Sequence, residues 1–231
     1  RQGYCRLLEY PLLDYARARE LQLDLVRRRA ARLLQEDVLL LLEHPPVFTL
    51  GRRGDRGNLL ISRERLEELG IALRETERGG DITYHGPGQV VAYPLLDLRA
   101  AGLGVKAFVH GLEEVMIRTA ADFGVEASRR ETERGAWAGP KKLGSLGVAV
   151  SRGISYHGLA FNVNLSLEPF SWINPCGMCR VEMTSLRRET GRELTTEPVR
   201  SRMKDRFREI FGLCFAEGEE ETERRRDEVT E

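Results

Sequence analysis

The pattern of apolar and polar positions predicts strands and helices that are mixed along the chain. The continuous apolar run at residues 38–42 is typical of a buried strand, and Pro45-Pro46 ends it because proline donates no ladder hydrogen bond. Four further strands are predicted at residues 47–50, 82–85, 142–150 and 154–165. A strand at 89–98 follows the turn Gly86-Pro87-Gly88.

Four segments carry helical signals. The clearest is residues 105–123, whose apolar positions share one 3.6-residue face and which Gly124 should end. A less regular pattern, with Leu12 and Leu33 among its apolar positions, predicts a helix over residues 12–35. Ser62 is a predicted cap of a short helix before Gly70, and Thr196 of a last helix.

Hairpins dominate the middle of this order, and strands do not alternate strictly with helices. The pattern therefore favours the α+β class with a mixed or antiparallel sheet over a doubly wound parallel sheet. Residues 1–215 are predicted to form a single domain, and the highly charged residues 216–231 a disordered, solvated tail.

Composition narrows the function classes. The chain has 231 residues, of which 41% are hydrophobic and 31% charged, as in soluble globular proteins. It has no apolar run of 18 residues and no charged-then-apolar leader, so neither a membrane span nor a signal peptide is predicted. With 36 basic and 36 acidic residues, charge does not indicate a nucleic-acid partner. Four cysteines are too few for a disulfide framework, which indicates a reducing cytoplasmic compartment.

Residues 78–89 concentrate glycines beside Arg78, Tyr84 and His85. Glycine lets a ligand approach backbone amides closely, and such amides hold anions or carbonyl oxygens. The alternative is an ordinary hairpin with a Gly-Pro-Gly turn. The segment matches neither the dinucleotide fingerprint nor the phosphate loop.

Lys141 and Lys142 stand at the start of a predicted strand, in a chain that has only four lysines. Because neighbouring side chains on a strand face opposite sides, one of the two should point inward and the other to solvent. Two solvated lysines are the alternative.

The segment 175–179 holds Cys176 and Cys179 in a C-x-x-C arrangement. A redox pair or a zinc site would use both thiols, but a βαβ context and further metal ligands are missing. Cys176 lies between Pro175 and Gly177, where a turn can present a nucleophilic thiol. Cys5 and Cys214 are expected to be buried and inert.

Two of the four histidines are candidates for a site. His85 and His157 each precede a glycine in a strand-turn context, whereas His44 is expected to bond the backbone, and His110 to be structural or solvated.

Taken in this order, these segments resemble the octanoyltransferase family of lipoate biosynthesis. The resemblance runs from residues 43–52 to 184–186 and rests on the motifs 78–94, 142–147, 157–162 and 175–177. It implies the fold of the catalytic domain of biotin and lipoate protein ligases, a mixed β-sheet flanked by helices with a small second sheet.

The resemblance also implies the site. Cys176 would be the nucleophile and Lys142 an essential lysine, with no cofactor and no metal. The implied acyl-substrate contacts are Arg78, Gly79, Gly80, Asp81, Ile82, Thr83, Tyr84, His85, Ser145, Leu146, Gly147, Gly158, Leu159 and Ala160.

The implied reaction moves an octanoyl group from octanoyl-acyl carrier protein to a lysine of an acceptor. Implied acceptors are the lipoyl domains of 2-oxoacid dehydrogenase complexes and the glycine cleavage H protein. A cysteine thiol of pKa about 8.5 is mostly protonated at neutral pH, so a Lys142 ammonium beside Cys176 would favour the attacking thiolate. Two alternatives remain, an ATP-dependent ligase of the same fold, which does not need Cys176, and a redox or zinc module.

Overall fold

A seven-stranded mixed sheet forms the centre of the protein in the computed structural model, which describes residues 3–174 and 181–215. The spatial order of its strands is β10-β1-β2-β6-β9-β8-β7. Neighbours are parallel between β10, β1 and β2 and antiparallel across the rest of the sheet. The strands are β1 (Gly3–Tyr10), β2 (Asp37–Leu42), β6 (Gln89–Leu95), β7 (Ala136–Ala138), β8 (Lys141–Ser151), β9 (Ile154–Asn162) and β10 (Leu213–Phe215).

A second sheet of three strands has the order β4-β3-β5. It consists of β3 (Val47–Leu50), β4 (Ala72–Glu75) and β5 (Ile82–His85). The helices of the described part are five α-helices, α1 (Tyr15–Ala30), α2 (Arg63–Glu68), α3 (Val105–Asp122), α4 (Leu186–Thr190) and α5 (Thr196–Phe211), and two short 3-10 helices, Arg56–Asn58 and Glu168–Trp172. The predicted α+β class, with a large mixed sheet, flanking helices and a small second sheet, is confirmed.

Side-chain alternation divides the core into two layers. On β2, Leu39 and Leu41 pack with α3 and α5, while Val38, Leu40 and Leu42 pack with α1. All five are fully buried, because β2 lies inside the sheet with helices on both faces. This double burial explains why the sequence shows a continuous apolar run there instead of alternation.

The strands at residues 47–50 and 82–85 have the predicted ends and the other predicted strands have shifted ends, but no local pattern indicated β1, β4, β7 and β10. The last two have only three residues each, too few for any periodicity to show. β1 carries Arg6 and Glu9 among its apolar residues. Its pairing with the distant β2 and β10 is tertiary information that local pattern does not carry.

The first helix is shorter than the predicted 12–35. It begins at Tyr15 because the Asp14 side chain caps it, accepting from the backbone N–H of Ala16 at 2.8 Å. It ends at Ala30, and Arg32 then adopts a left-handed conformation with φ of 60°. The predicted apolar positions Leu12 and Leu33 are consequently exposed.

Capping predictions had mixed outcomes. Ser62 caps α2 as predicted, and Gly124 follows α3 with a positive φ. For α5 the prediction of Thr196 was wrong, because the helix begins at that residue and Thr195 holds the N-cap position. The Thr196 hydroxyl donates instead to the Glu43 carboxylate at 2.6 Å, which ties α5 to the end of β2.

Within residues 3–174 and 181–215, no helix is both long and apolar enough to cross a lipid bilayer.

Candidate functional site

A cavity of about 670 Å³, measured with its open mouth, lies between the small sheet and strands β8 and β9. Most of the residues predicted to contact an acyl substrate line it, namely Arg78, Gly80, Asp81, Ile82, Thr83, His85, Ser145, Leu146, Gly147, Gly158, Leu159 and Ala160. Lys142 lines it as well. Tyr15, Tyr93, His157, Phe170 and Met183 complete the described wall. Of the predicted residues in the described ranges, Gly79 and Tyr84 are not part of this lining; Tyr84 packs between Phe48 and Phe170 in the core of the small sheet.

Two glycines let backbone segments approach each other at this cavity. A Cβ on Gly147 would lie 2.6 Å from the Gly79 carbonyl oxygen, so the loop 78–81 rests directly on β8. The Gly79 N–H donates to the Val148 oxygen at 2.9 Å in the same contact. A Cβ on Gly158 would overlap the Ala92 carbonyl oxygen of β6. Glycine at 158 is therefore required by strand packing, and its backbone lines the cavity.

Arg78 acts as an internal clamp. Its guanidinium donates to the Thr49 hydroxyl at 2.9 and 3.1 Å, to the Thr49 carbonyl at 2.6 Å and to the Asp81 carbonyl at 2.7 Å. The Asp81 carboxylate in turn accepts from the backbone of Ile82 at 2.7 Å and from the Asn58 amide at 2.6 Å. Both charged side chains thus shape the cavity wall by fixing the loop that carries them.

Lys142 points inward and is 9% exposed, whereas the Lys141 ammonium lies near surface carboxylates, 3.7 Å from Glu189. The predicted alternation of the two lysines is confirmed. Trp137 faces Lys142 across β7 and β8, with its ring centroid 5.3 Å from Nζ, within the range of a cation–π contact. A side chain at Gly135 would collide with Cε of Lys142, and the Gly135 N–H donates to the buried Glu113 carboxylate at 3.2 Å.

The sequence motifs do not indicate Trp137 and Gly135 as part of this site. Only the position of Trp137 five residues before Lys142, across a possible tight hairpin, could have pointed to the pairing.

The backbone of Lys142 is bound to the chain that follows residues 175–180. Its N–H donates to the Glu182 oxygen at 2.8 Å, and its oxygen accepts from the Thr184 N–H at 2.9 Å. On the preceding side, the Asn174 N–H donates to the Asn58 oxygen at 2.8 Å. The candidate nucleophile Cys176 and its neighbour Cys179 lie outside the described residues, as does the predicted tail 216–231.

His44 is fully buried and neutral. Its Nδ1–H donates to the Leu13 carbonyl at 2.7 Å, which leaves Nε2 to accept from the Tyr93 hydroxyl at 2.8 Å. Burial lowers the pKa of His44 to about 4. The expected backbone bond is present, and the second bond places His44 directly behind the cavity wall.

His85 occupies the centre of a similar network. The Gln89 amide nitrogen donates to the Tyr84 carbonyl at 3.2 Å and to Asn162 at 3.0 Å, so its oxygen accepts from His85 Nδ1 at 2.7 Å. The Thr49 hydroxyl lies 3.4 Å from the remaining ring nitrogen. Burial, followed by the neighbouring His44, holds the pKa of His85 well below its ordinary value.

His157 has a left-handed backbone conformation, with φ of 55°. Strict alternation would turn it toward α3 with Leu159 and Phe161, but its ring contacts Tyr93 and Tyr156, which belong to the α1 layer. Its backbone N–H donates to the Gln22 side chain at 2.7 Å. Burial lowers the pKa of His157, and the nearby Glu77 carboxylate, 3.7 Å away, partly opposes this.

The other predicted residues take no part in the cavity. Cys5 is buried, and burial raises the pKa of its thiol, so it is inert as expected. Cys214 is only half-buried, contrary to expectation, because it lies on the short edge strand β10. His110 is exposed on α3. Within the described ranges, no group of three histidine, cysteine or carboxylate side chains is arranged to hold a metal ion.

Comparison with known proteins identifies the family. Residues 14–208 match the family described as Lipoyl protein ligase A/B catalytic domain. The octanoyltransferase of Desulfotalea psychrophila is 47% identical over 208 residues, covering 89% of this chain and 93% of the relative. That of Syntrophobacter fumaroxidans is 45% identical over 205 residues, covering 89% and 90%. The chain therefore belongs to the lipoyl protein ligase A/B catalytic domain family, and within it to the octanoyltransferases.

Solved structures agree on the fold. A lipoate-protein ligase A bound with ATP has a TM-score of 0.69 at 17% identity, covering 94% of this chain and 89% of its own. A bi-partite lipoate protein ligase from Thermoplasma acidophilum has a TM-score of 0.67 at 17% identity, covering 94% and 86%. A biotin protein ligase from Aquifex aeolicus has a TM-score of 0.55 at 14% identity, covering 90% and 70%.

The neutral state of His44 makes stability depend on pH. In mild acid, unfolding releases an imidazole that takes up a proton. The contribution of the buried neutral His44 to the free energy of unfolding is therefore fully present above pH 6.5 and is lost as the pH falls toward 4. The shift of the His44 pKa corresponds to about 3 kcal/mol of the free energy of unfolding. Urea denaturation at pH 7 and pH 4 should show His44→Phe losing less stability with acid than the wild type. His110→Gln should lose as much stability between pH 7 and pH 4 as the wild type does. Equal losses in all three proteins would contradict the assignment of this pH dependence to His44.

Proposed function

We propose that the protein transfers an octanoyl group from the thioester of an acyl carrier protein to a lysine amine on a lipoyl domain. The observation that carries the proposal is the placement of the inward Lys142 on a cavity whose walls are formed by most of the residues expected to contact an acyl chain. Membership of the octanoyltransferases supports octanoyl as the acyl group that is transferred. The proposed acceptors are lipoyl domains of 2-oxoacid dehydrogenase complexes and the glycine cleavage H protein.

The cavity suits a hydrocarbon chain. Ile82, Leu146, Leu159, Ala160 and Phe170 supply apolar side chains to its wall. Burial of the seven hydrocarbon groups of an octanoyl chain would contribute about 6 kcal/mol, at about 0.8 kcal/mol for each. Binding therefore needs no charged group along the tail.

The first step would form an acyl-enzyme. The Cys176 thiolate attacks the thioester carbonyl, the bond from that carbon to the carrier sulfur breaks, and the carrier leaves as a thiol after taking up a proton. A Lys142 ammonium next to the thiol stabilises the attacking thiolate and can supply that proton. The thioester is already activated, so the step needs no ATP.

The second step would form the amide. The acceptor lysine amine attacks the Cys176 thioester, a carbon–nitrogen bond replaces the carbon–sulfur bond, and the cysteine leaves as thiolate. The neutral Lys142 amine takes the proton that the acceptor nitrogen loses. Backbone amides near the reacting carbonyl would hold its developing negative charge. The Lys142 N–H is already committed to Glu182, so it is not one of those donors.

The acyl-enzyme should form on one of the two neighbouring cysteines only. Incubation with octanoyl carrier protein, without ATP, should produce an octanoyl adduct that intact mass spectrometry and peptide mapping locate on Cys176. Cys176→Ser should abolish transfer and the adduct, while the matched variant Cys179→Ser should remain active within a fewfold. Equal losses in both variants would favour a redox or metal site, and a strict need for ATP would favour a ligase.

Lys142 should be needed as an amine and not merely as a positive charge. Lys142→Arg keeps the charge, but a guanidinium does not give up its proton near neutral pH, so kcat should fall by about a hundredfold or more. Lys141→Ala is the matched control, since its ammonium faces surface carboxylates, and it should retain near-normal turnover. Near-normal turnover of Lys142→Arg in a single-turnover assay would eliminate the base role.

An acidic carrier would meet two exposed arginines at the cavity. The backbone N–H groups of Arg52 and Arg53 donate to the oxygens of Arg78 and Gly80 in the cavity wall, at 3.0 and 3.1 Å. Their position supports electrostatic docking of the donor protein, because opposite charges at a binding site accelerate encounter and orient the partner.

Charge reversal should distinguish recognition of the carrier protein from recognition of the acyl group. Arg52→Glu with Arg53→Glu should lower kcat/KM for octanoyl carrier protein by about tenfold or more at low salt and leave a small octanoyl thioester unaffected. The matched control is Arg202→Glu, an exposed position on α5, which packs with α3 in the core. It should leave kcat/KM for both donors unchanged. A parallel loss with both donors in the double variant would rule out this docking surface.

A further inference from the structure

Aromatic and imidazole rings cluster in one part of the cavity wall. Tyr15, His85, Tyr93 and His157 lie there and form what we call the end wall. The ring centroids of Tyr15 and His85 are 6.1 Å apart and nearly parallel, and those of Tyr93 and His157 are 6.0 Å apart. All four residues are at least 94% buried.

The register of β8 and β9 places His157 of the end wall far from Lys142 along the sheet. Gly147 pairs with Gly158, next to His157, and lies five residues further along β8 than Lys142. At about 3.3 Å per residue, this spans about 16 Å. If the acyl carbonyl reacts beside Lys142, as the proposed function requires, the tail of the chain points toward the end wall.

Tyr15 is the member of the end wall that comes from outside the two sheets. It is the first residue of α1, held by the Asp14 cap, and its hydroxyl bonds to the Thr76 hydroxyl at 3.0 Å. Its ring also meets His44 edge-on, with centroids 5.2 Å apart. These contacts fix the ring on several sides, so it cannot swing away without breaking a partly buried hydrogen bond.

The end wall is uncharged on the face that a tail would meet. Burial lowers the pKa of His85 and His157 and raises the pKa of Tyr15 and Tyr93, so all four rings are neutral near pH 7. The Tyr15 and Tyr93 hydroxyls are engaged with Thr76 and His44. A terminal methyl group can therefore pack against ring carbons without leaving a buried charge unpaired.

We propose that Tyr15 determines the length of acyl chain that the enzyme accepts, by stopping the tail at the end wall. Interiors are packed closely, so a chain that reaches the ring has no room for further methylene groups unless Tyr15 is displaced. Removal of this ring extends the cavity without removing any residue from a strand.

The test compares acyl donors of increasing length, from hexanoyl to tetradecanoyl, as small thioesters without a carrier protein. For the wild type, kcat/KM should be high for octanoyl and fall by about tenfold or more by dodecanoyl. Tyr15→Ala should raise the ratio of dodecanoyl to octanoyl kcat/KM by about tenfold or more. Tyr15→Phe keeps the ring and loses only the hydroxyl, so it should keep the wild-type ratio.

Three results would overturn the proposal: an unchanged ratio in folded Tyr15→Ala, an equal shift in Tyr15→Phe, or a wild type indifferent to chain length. Circular dichroism establishes folding, and Tyr15→Leu replaces the alanine variant if that one does not fold, with a smaller shift in the same direction expected. Failure of the proposed function is a separate result, because it would appear as absence of octanoyl transfer by the wild type.

Discussion

A chain of buried hydrogen bonds joins the small sheet to the large one, and the shape of the cavity depends on it. Arg78 donates to Thr49 of β3, Thr49 lies next to His85 of β5, and His85 donates to Gln89 at the start of β6. Gln89 then donates to Asn162 at the end of β9. Each of these groups is buried, so the loss of any one partner would leave another without its hydrogen bond at a cost of about 1–3 kcal/mol.

The same series of hydrogen bonds continues to Lys142, at the reactive end of the cavity. The Asn162 amide donates to the Thr184 carbonyl at 2.9 Å, and the Thr184 N–H binds the oxygen of Lys142. The strand that carries Lys142 is therefore held in register with the loop that Arg78 clamps. Because the network requires a neutral His85, protonation of His85 would disturb both the cavity wall and the strand that carries Lys142.

Local pattern was sufficient for the fold class, for the main strands and for one inward side chain at Lys141 or Lys142, and the family resemblance assigned that position to Lys142. The resemblance to a family indicated most residues of the cavity wall, and in the structure these residues line a single cavity. The reversed ring of His157 was beyond reach, since it depends on a backbone conformation uncommon outside glycine. The contact of Trp137 with Lys142 depends on strand register and not on residue type, so only the spacing of the two residues across a possible tight hairpin indicates it.

The parallel pairing of β1 with β10 bears on how the chain folds. Gly3 and Leu213 are neighbours in this ladder, although roughly 200 positions separate them along the chain, and closing so long a loop has an entropic cost before any contact repays it. The hairpin of β8 and β9, by contrast, needs only the tight turn between Ser151 and Ile154. The order of assembly thus favours the cavity-bearing hairpin early and the β1–β10 edge late, so transient opening of the native protein should begin at the edge remote from its chemistry.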